Sequence, residues 1–119
     1  MAFGCLQLLK RLNEGNLLDR VMNEYPDYKL VITGHSLGAG VSILLGAKLR
    51  STYTDLRVYA FATPAGLLTR DAARVTEKFA FTLGVGDDFV MRTSLISINN
   101  LRSNIIETLK ACKLPKVCS

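Results

Sequence analysis

At 119 residues the chain is about one small domain, and its 49% apolar content is enough for a real core. No run of about 18 apolar residues occurs, and Met1 to Leu9 lacks the basic start and cleavage pattern of a signal peptide. The net charge of +5 is spread thinly over residues such as Lys10, Arg11, Lys48, Arg50, Arg70 and Arg74, without interleaved aromatics, which argues against a nucleic-acid partner.

In chain order, apolar residues at helical spacing (Cys5, Leu8, Leu9, Leu12, then Leu18, Val21, Met22) predict a helix over Phe3 to Met22, interrupted at Gly15 and ended by Pro26. Tyr25 to Tyr28 reads as a turn. Leu30-Val31-Ile32 reads as a buried parallel strand, because it is continuous and β-branched rather than alternating. A helix follows to about Tyr53, with Leu37, Val41, Leu44, Leu45 and Leu49 on one face. A second strand is expected over Leu56 to Ala62, a short helix over Thr69 to Glu77, and a third strand over Lys78 to Leu83. The last element, Ile98 to Ala111, is a helix whose stripe of Ile98, Leu101, Ile105 and Leu109 reads as core-facing rather than membrane-binding. This order predicts an α/β architecture of three parallel strands with crossover helices.

In such sheets reacting groups gather at the carboxyl ends of strands, here the loops at Gly34–Gly38, Thr63–Gly66 and Gly84–Asp88. The first, Gly34-His35-Ser36-Leu37-Gly38, fits G-x-S-x-G, a tight strand-to-helix turn that lifts a serine hydroxyl into the open. Gly34 and Gly38 stand where larger side chains are expected to collide as the backbone doubles back. The helix start directs free N–H groups, that of Leu37 first, to the place where an oxyanion would form. Asp87 and Asp88 follow the third strand, in the order serine then acid that an α/β-hydrolase requires, and spacing leaves either as the acid. The sole histidine, His35, adjoins Ser36 and is poorly placed to take its proton, so it reads as structural. Cys5, Cys112 and Cys118 form neither a disulfide framework nor a zinc set and read as reduced thiols; no metal site is expected from the residues themselves.

The run Leu30-Val31-Ile32-Thr33-Gly34-His35-Ser36-Leu37-Gly38-Ala39-Gly40 resembles the elbow of class 3 (fungal-type) lipases, and more narrowly that of sn-1-specific diacylglycerol lipases. Two further segments carry the likeness: Tyr59-Ala60-Phe61-Ala62-Thr63-Pro64-Ala65-Gly66-Leu67-Leu68 and Gly86-Asp87-Asp88-Phe89-Val90-Met91-Arg92. The resemblance runs from about Gly4 to Lys116. It departs from the family at Met91, where proline is usual, and at Ala62-Thr63, which replaces a serine-proline pair.

The resemblance implies a partial α/β-hydrolase fold with an incomplete sheet, residues 1–119 being an internal piece of one catalytic domain. It implies Ser36 as nucleophile, Asp88 as triad acid and the Leu37 backbone N–H as oxyanion donor, with the triad histidine absent from this chain. Arg92 would steady the Asp88 loop or serve as plain surface. The implied substrate is a glycerolipid, diacylglycerol cut at sn-1 to 2-monoacylglycerol and fatty acid. The full-length protein would then be associated with a membrane surface at its cytosolic face. No cofactor is expected in this chain, although calcium belongs to the family picture. Two alternatives stay open: a catalytically silent truncated module with an interaction or membrane-peripheral role, and another serine esterase or thioesterase. A three-stranded piece of a larger sheet is also expected to be marginally stable, to aggregate or to pair with another segment.

Overall fold

The computed structural model describes residues 1–112. Its elements are α1 (Ala2–Asn13), α2 (Leu17–Glu24), β1 (Val31–His35), α3 (Leu37–Leu49), β2 (Arg57–Phe61), α4 (Arg70–Thr76), β3 (Ala80–Leu83), α5 (Phe89–Arg92) and α6 (Leu95–Ala111). The expected order therefore holds, with the first helix broken in two at Glu14–Asn16, where Asn16 adopts φ 45°. The sheet is open and parallel in the order β1-β2-β3, with Val31 beside Arg57, His35 beside Phe61, and Phe61 beside Leu83.

Alternation along β2 sets the layers. Val58 and Ala60 are fully buried, whereas Arg57, Tyr59 and Phe61 point to the opposite face and are exposed. The buried face lies under α3, whose other side is covered by α1. Ala39, Ile43, Leu45, Leu49, Leu56, Val58 and Phe79 make one core, with Cys5 of α1 closing it. Ala39, Gly40, Ser42, Ile43, Leu45, Gly46 and Leu49 are all buried, so α3 is enclosed on most of its circumference rather than along a single stripe, and Leu37 is exposed. Gly46 is where helix and sheet meet most closely: a Cβ there would lie 2.5 Å from Val58 Cγ2 and 3.2 Å from Phe79 Cε2. Arg50 caps the core edge, its guanidinium 5.1 Å from the Phe79 ring centroid and hydrogen-bonded to the Leu56 carbonyl.

Two expectations about burial are corrected. The first strand is not buried: Val31, Thr33 and His35 are exposed, because no described element lies on that face of the sheet. The same bare face carries a Tyr59–Phe81 stack with ring centroids 5.7 Å apart, together with Phe61 and Leu83. The last helix is not core-facing either; no residue of α6 is buried, and it makes only marginal contact with any other element. The radius of gyration is correspondingly 20.2 Å, against about 13.5 Å for a compact chain of this length.

A clamp holds α2 to the turn after α3. The Tyr53 hydroxyl donates to Asp19 Oδ1 at 2.6 Å. Desolvation first, then the hydrogen bond and charge of Asp19, push the phenol up from 10.0 to about 12.

Two outcomes follow. Gly46→Ala, favoured by helix propensity alone, loses about 1–3 kcal/mol in urea unfolding because the new methyl overlaps Val58. Because the folded-state pKa of Tyr53 is raised, the clamp contributes fully below pH 10.0 and is lost as pH rises through about 12. The stability gap between wild type and Tyr53→Phe should close over that window, and a gap constant across it would contradict the assignment.

Candidate functional site

All three strands are parallel, so their carboxyl ends lie at one edge of the sheet. At the end of β1 the chain reverses through Ser36 with φ 53° and ψ −118°, a conformation that disfavours any side chain with a Cβ. It is pinned from both directions. The Ser36 N–H donates to the Phe61 carbonyl at 2.9 Å, while the Ser36 carbonyl accepts from Ala39 N at 3.0 Å and Gly40 N at 3.3 Å. Ladder pairing thus fixes the strand side of the turn and the first helical turn fixes the other.

The two glycines of the motif do different jobs. A Cβ on Gly34 would run into the carbonyl of Gly38, and would stand 2.5 Å from its carbon and 2.9 Å from Ala39 N. Absence of a side chain at 34 is what lets the strand end and the helix start touch. A Cβ on Gly38 would meet nothing within 4 Å among the described residues, which corrects the expectation of a collision there.

Ser36 is half-buried, and its hydroxyl makes no hydrogen bond among the described residues. The N–H groups of Leu37 and Gly38, the first two of α3, are likewise without a described acceptor. A hydroxyl, two unpaired N–H donors and a helix N-terminus thus converge beside an open edge of the sheet. That arrangement suits attack on a carbonyl whose oxygen gains negative charge.

Asp88 and Asp87 have separate roles. Asp88 is the N-cap of α5, a short helix that the periodicity does not predict; its Oδ1 accepts from Val90 N at 2.8 Å and Met91 N at 3.4 Å. Asp87 is 94% exposed at its side chain and pairs with Arg92 Nη2 at 2.8 Å. Arg92 therefore steadies the acidic loop through Asp87, not through Asp88. An aspartate ahead of Phe89-Val90-Met91 is an N-cap signature and was the available signal for α5. Met91 adds a backbone donor that proline at this position could not supply, and its side chain packs where a Cβ on Gly84 would sit.

Asp88 and His35 line one apolar cleft of about 370 Å³ with Phe61, Ala62, Leu83, Gly84 and Val85. The ends of β1 and β3 therefore meet in one cleft with the end of β2, through His35, Asp88 and Phe61; neither Ser36 nor the Thr63–Gly66 loop lines it. His35 is exposed on the bare sheet face, with no hydrogen bond from its imidazole to a described residue, so the structural role expected for it is not seen. The loop after β2 is bent by Ala62 at φ 52° and Gly66 at φ 75°, and Thr63 Oγ1 lies 3.4 Å from Thr82 Oγ1. Gly66 also borders an apolar groove of about 440 Å³ shared with Thr93, Ser94, Leu95 and Ile98.

Cys5 and Cys112 are free, and burial pushes the Cys5 thiol up, away from reactivity; Cys118 lies outside the described residues. Among the described residues no three carboxylate, histidine or cysteine side chains cluster as cation ligands would.

Comparison with known proteins agrees with this geometry. The profile of the family "Lipase (class 3)" matches residues 2–98. Mouse diacylglycerol lipase-beta is 36% identical over 107 residues, 90% of this chain and 16% of that protein. Human diacylglycerol lipase-alpha is 35% identical over 89 residues, 75% of this chain and 8% of that protein. The chain thus spans less than a fifth of either relative. Among solved structures, a mutant form of MDLA from Penicillium cyclopium superposes with a TM-score of 0.66 at 29% identity, covering 81% of this chain and 37% of that one. A strained serine between a parallel strand and an N–H-bearing helix start, matched along most of the chain by these relatives, places it in the class 3 lipase family.

Proposed function

We propose that these residues form the nucleophile-and-acid half of a serine lipase catalytic domain. The carrying observation is the Ser36 turn: φ 53° at a strand-to-helix junction with the Leu37 and Gly38 N–H groups open beside it. Ser36 Oγ attacks the ester carbonyl, its proton passes to an imidazole, and the tetrahedral oxyanion is held by the Leu37 N–H. The imidazole then protonates the leaving alcohol, and water hydrolyses the acyl-enzyme to release the fatty acid. Asp88, anchored at Oδ1 by two backbone donors, offers Oδ2 to orient that imidazole. The base comes from polypeptide outside the 119 residues, since His35 adjoins the nucleophile. The apolar lining beside Asp88 suits a lipid ester, and the names of the diacylglycerol lipase relatives support diacylglycerol as that ester; cleavage at sn-1 rests on the sequence resemblance alone.

The single, adjacent histidine also supports a second reading, in which the chain by itself is catalytically silent. A fluorophosphonate probe with mass-spectrometric mapping separates the two. On the lipase reading the folded chain is labelled at Ser36, faster with free imidazole present, and Ser36→Ala is not labelled. Absence of labelling in folded protein with imidazole favours the silent module, and labelling unchanged by Ser36→Ala removes Ser36 from the mechanism. In a full-length enzyme, Asp88→Asn should lower kcat by about 10⁴-fold, whereas Asp87→Asn should leave it within a few-fold.

The elbow glycines give a paired outcome under the same probe. Gly34→Ala forces the strand and helix apart and should reduce labelling at least about tenfold, since a misplacement of about 1 Å costs that much or more. Gly38→Ala, entering open space, should leave the fold intact by circular dichroism. Equal effects at both positions would contradict the asymmetry seen here.

A further inference from the structure

Helix α5 carries Asp88 at its start, yet it is a single turn of four residues with none of them buried. One helical turn does not persist in water without outside contacts. Phe89 faces solvent, 76% exposed, and the Arg92–Asp87 pair lies at the surface, where such pairs contribute little. The hydrogen bonds from Val90 N and Met91 N fix the Asp88 carboxylate within α5. They do not fix α5 on the strand ends.

Two described contacts reach from α5 to those ends. The Ala65 N–H, on the loop after β2, donates to the Val90 carbonyl at 3.4 Å, which is long for such a bond. The second contact sets a side chain against bare backbone. A Cβ placed on Gly84, the residue after β3, would overlap Met91 Sδ and stand 3.0 Å from its Cε and 3.7 Å from its Cγ. The half-buried thioether thus fills the hollow that the missing side chain leaves. Gly84 has no left-handed φ, so its lack of a side chain serves this contact rather than the backbone. An unbranched, flexible methionine can lie in such a seat. A proline at 91 could not, because its ring closes on its own nitrogen, and it would lack the N–H that Asp88 accepts.

We infer that Met91 is a positioning residue for the acid: seated on Gly84, it fixes α5 against the end of β3 and so sets where the Asp88 carboxylate stands at the cleft. This rests on the reading of Asp88 as the group that orients the imidazole.

A double-mutant cycle tests the contact. Gly84→Ala displaces only the flexible end of Met91, so the fold should be kept, and Met91→Ala empties the seat from the other side. In the 119-residue chain each variant should speed amide exchange at residues 90 and 91 about tenfold. In a full-length enzyme each should lower kcat about tenfold, as a shift of the acid by about 1 Å would, with KM within about twofold. Both variants remove one shared contact, so the double variant should lose no more than either single one. Should Met91→Ala unfold, Gly84→Ala decides alone on the same readouts. Unchanged exchange in the single variants, or losses that multiply in the double variant, would overturn the inference. So would a raised KM with kcat preserved, which marks Met91 as a substrate contact. If kcat stays within about twofold in the single variants while Asp88→Asn lowers it, the inference fails and the hydrolase reading stands. An unchanged kcat in Asp88→Asn removes the acid assignment itself, and the inference with it.

Discussion

The contact on which the site depends is the approach of the β1 end to the α3 start, with Gly34 set against the Gly38 carbonyl. Backbone meets backbone there, so no side chain can be accommodated at 34 and no looser turn keeps both the β2 ladder bond to Ser36 and the first bonds of α3. The positive φ at Ser36 is the cost of this closure, of order 1–3 kcal/mol in such turns. Burial of α3 between α1 and the sheet holds it in place, with Gly46 as the point of closest approach. The same closure leaves the serine hydroxyl and two helix-start N–H groups facing outward together. The geometry of the proposed nucleophile thus follows from packing several residues away from Ser36.

The proposed acid is held by a different device. Asp88 is not carried by the sheet but by its own helix cap, two backbone donors fixing one oxygen and leaving the other to the cleft. Asp87, exposed and paired with Arg92, braces the loop from outside. Neighbouring aspartates with the same chemistry are therefore separated by backbone direction alone, which explains why spacing could not choose between them.

Much of this was legible in the residues. The β-branched run before Gly34, the small residues after Ser36 and the turn at Thr63–Gly66 located the strands, the elbow and the carboxyl edge to within a few positions. Burial was less legible. A continuous apolar strand and an amphipathic helix both signal a partner surface without saying where that surface comes from. Val31, Tyr59, Phe81 and the α6 stripe all carry that signal, and nothing among the described residues covers them. Gly38 shows the limit of motif reading from the other side. Its place in the pattern suggested a clash, but the helix start leaves that side open. The helix α5 is not legible because four residues are too few positions for periodicity to register.

The most direct measurement is a crystal structure of a catalytic domain containing these residues after reaction with an organophosphate ester. The expected density shows phosphorus on Ser36 Oγ, positive φ at that residue, and a phosphoryl oxygen about 3 Å from the Leu37 nitrogen. Phosphorus on another side chain, or Ser36 in ordinary helical or extended backbone with its hydroxyl packed over, would contradict the assignment of this turn as the reacting centre.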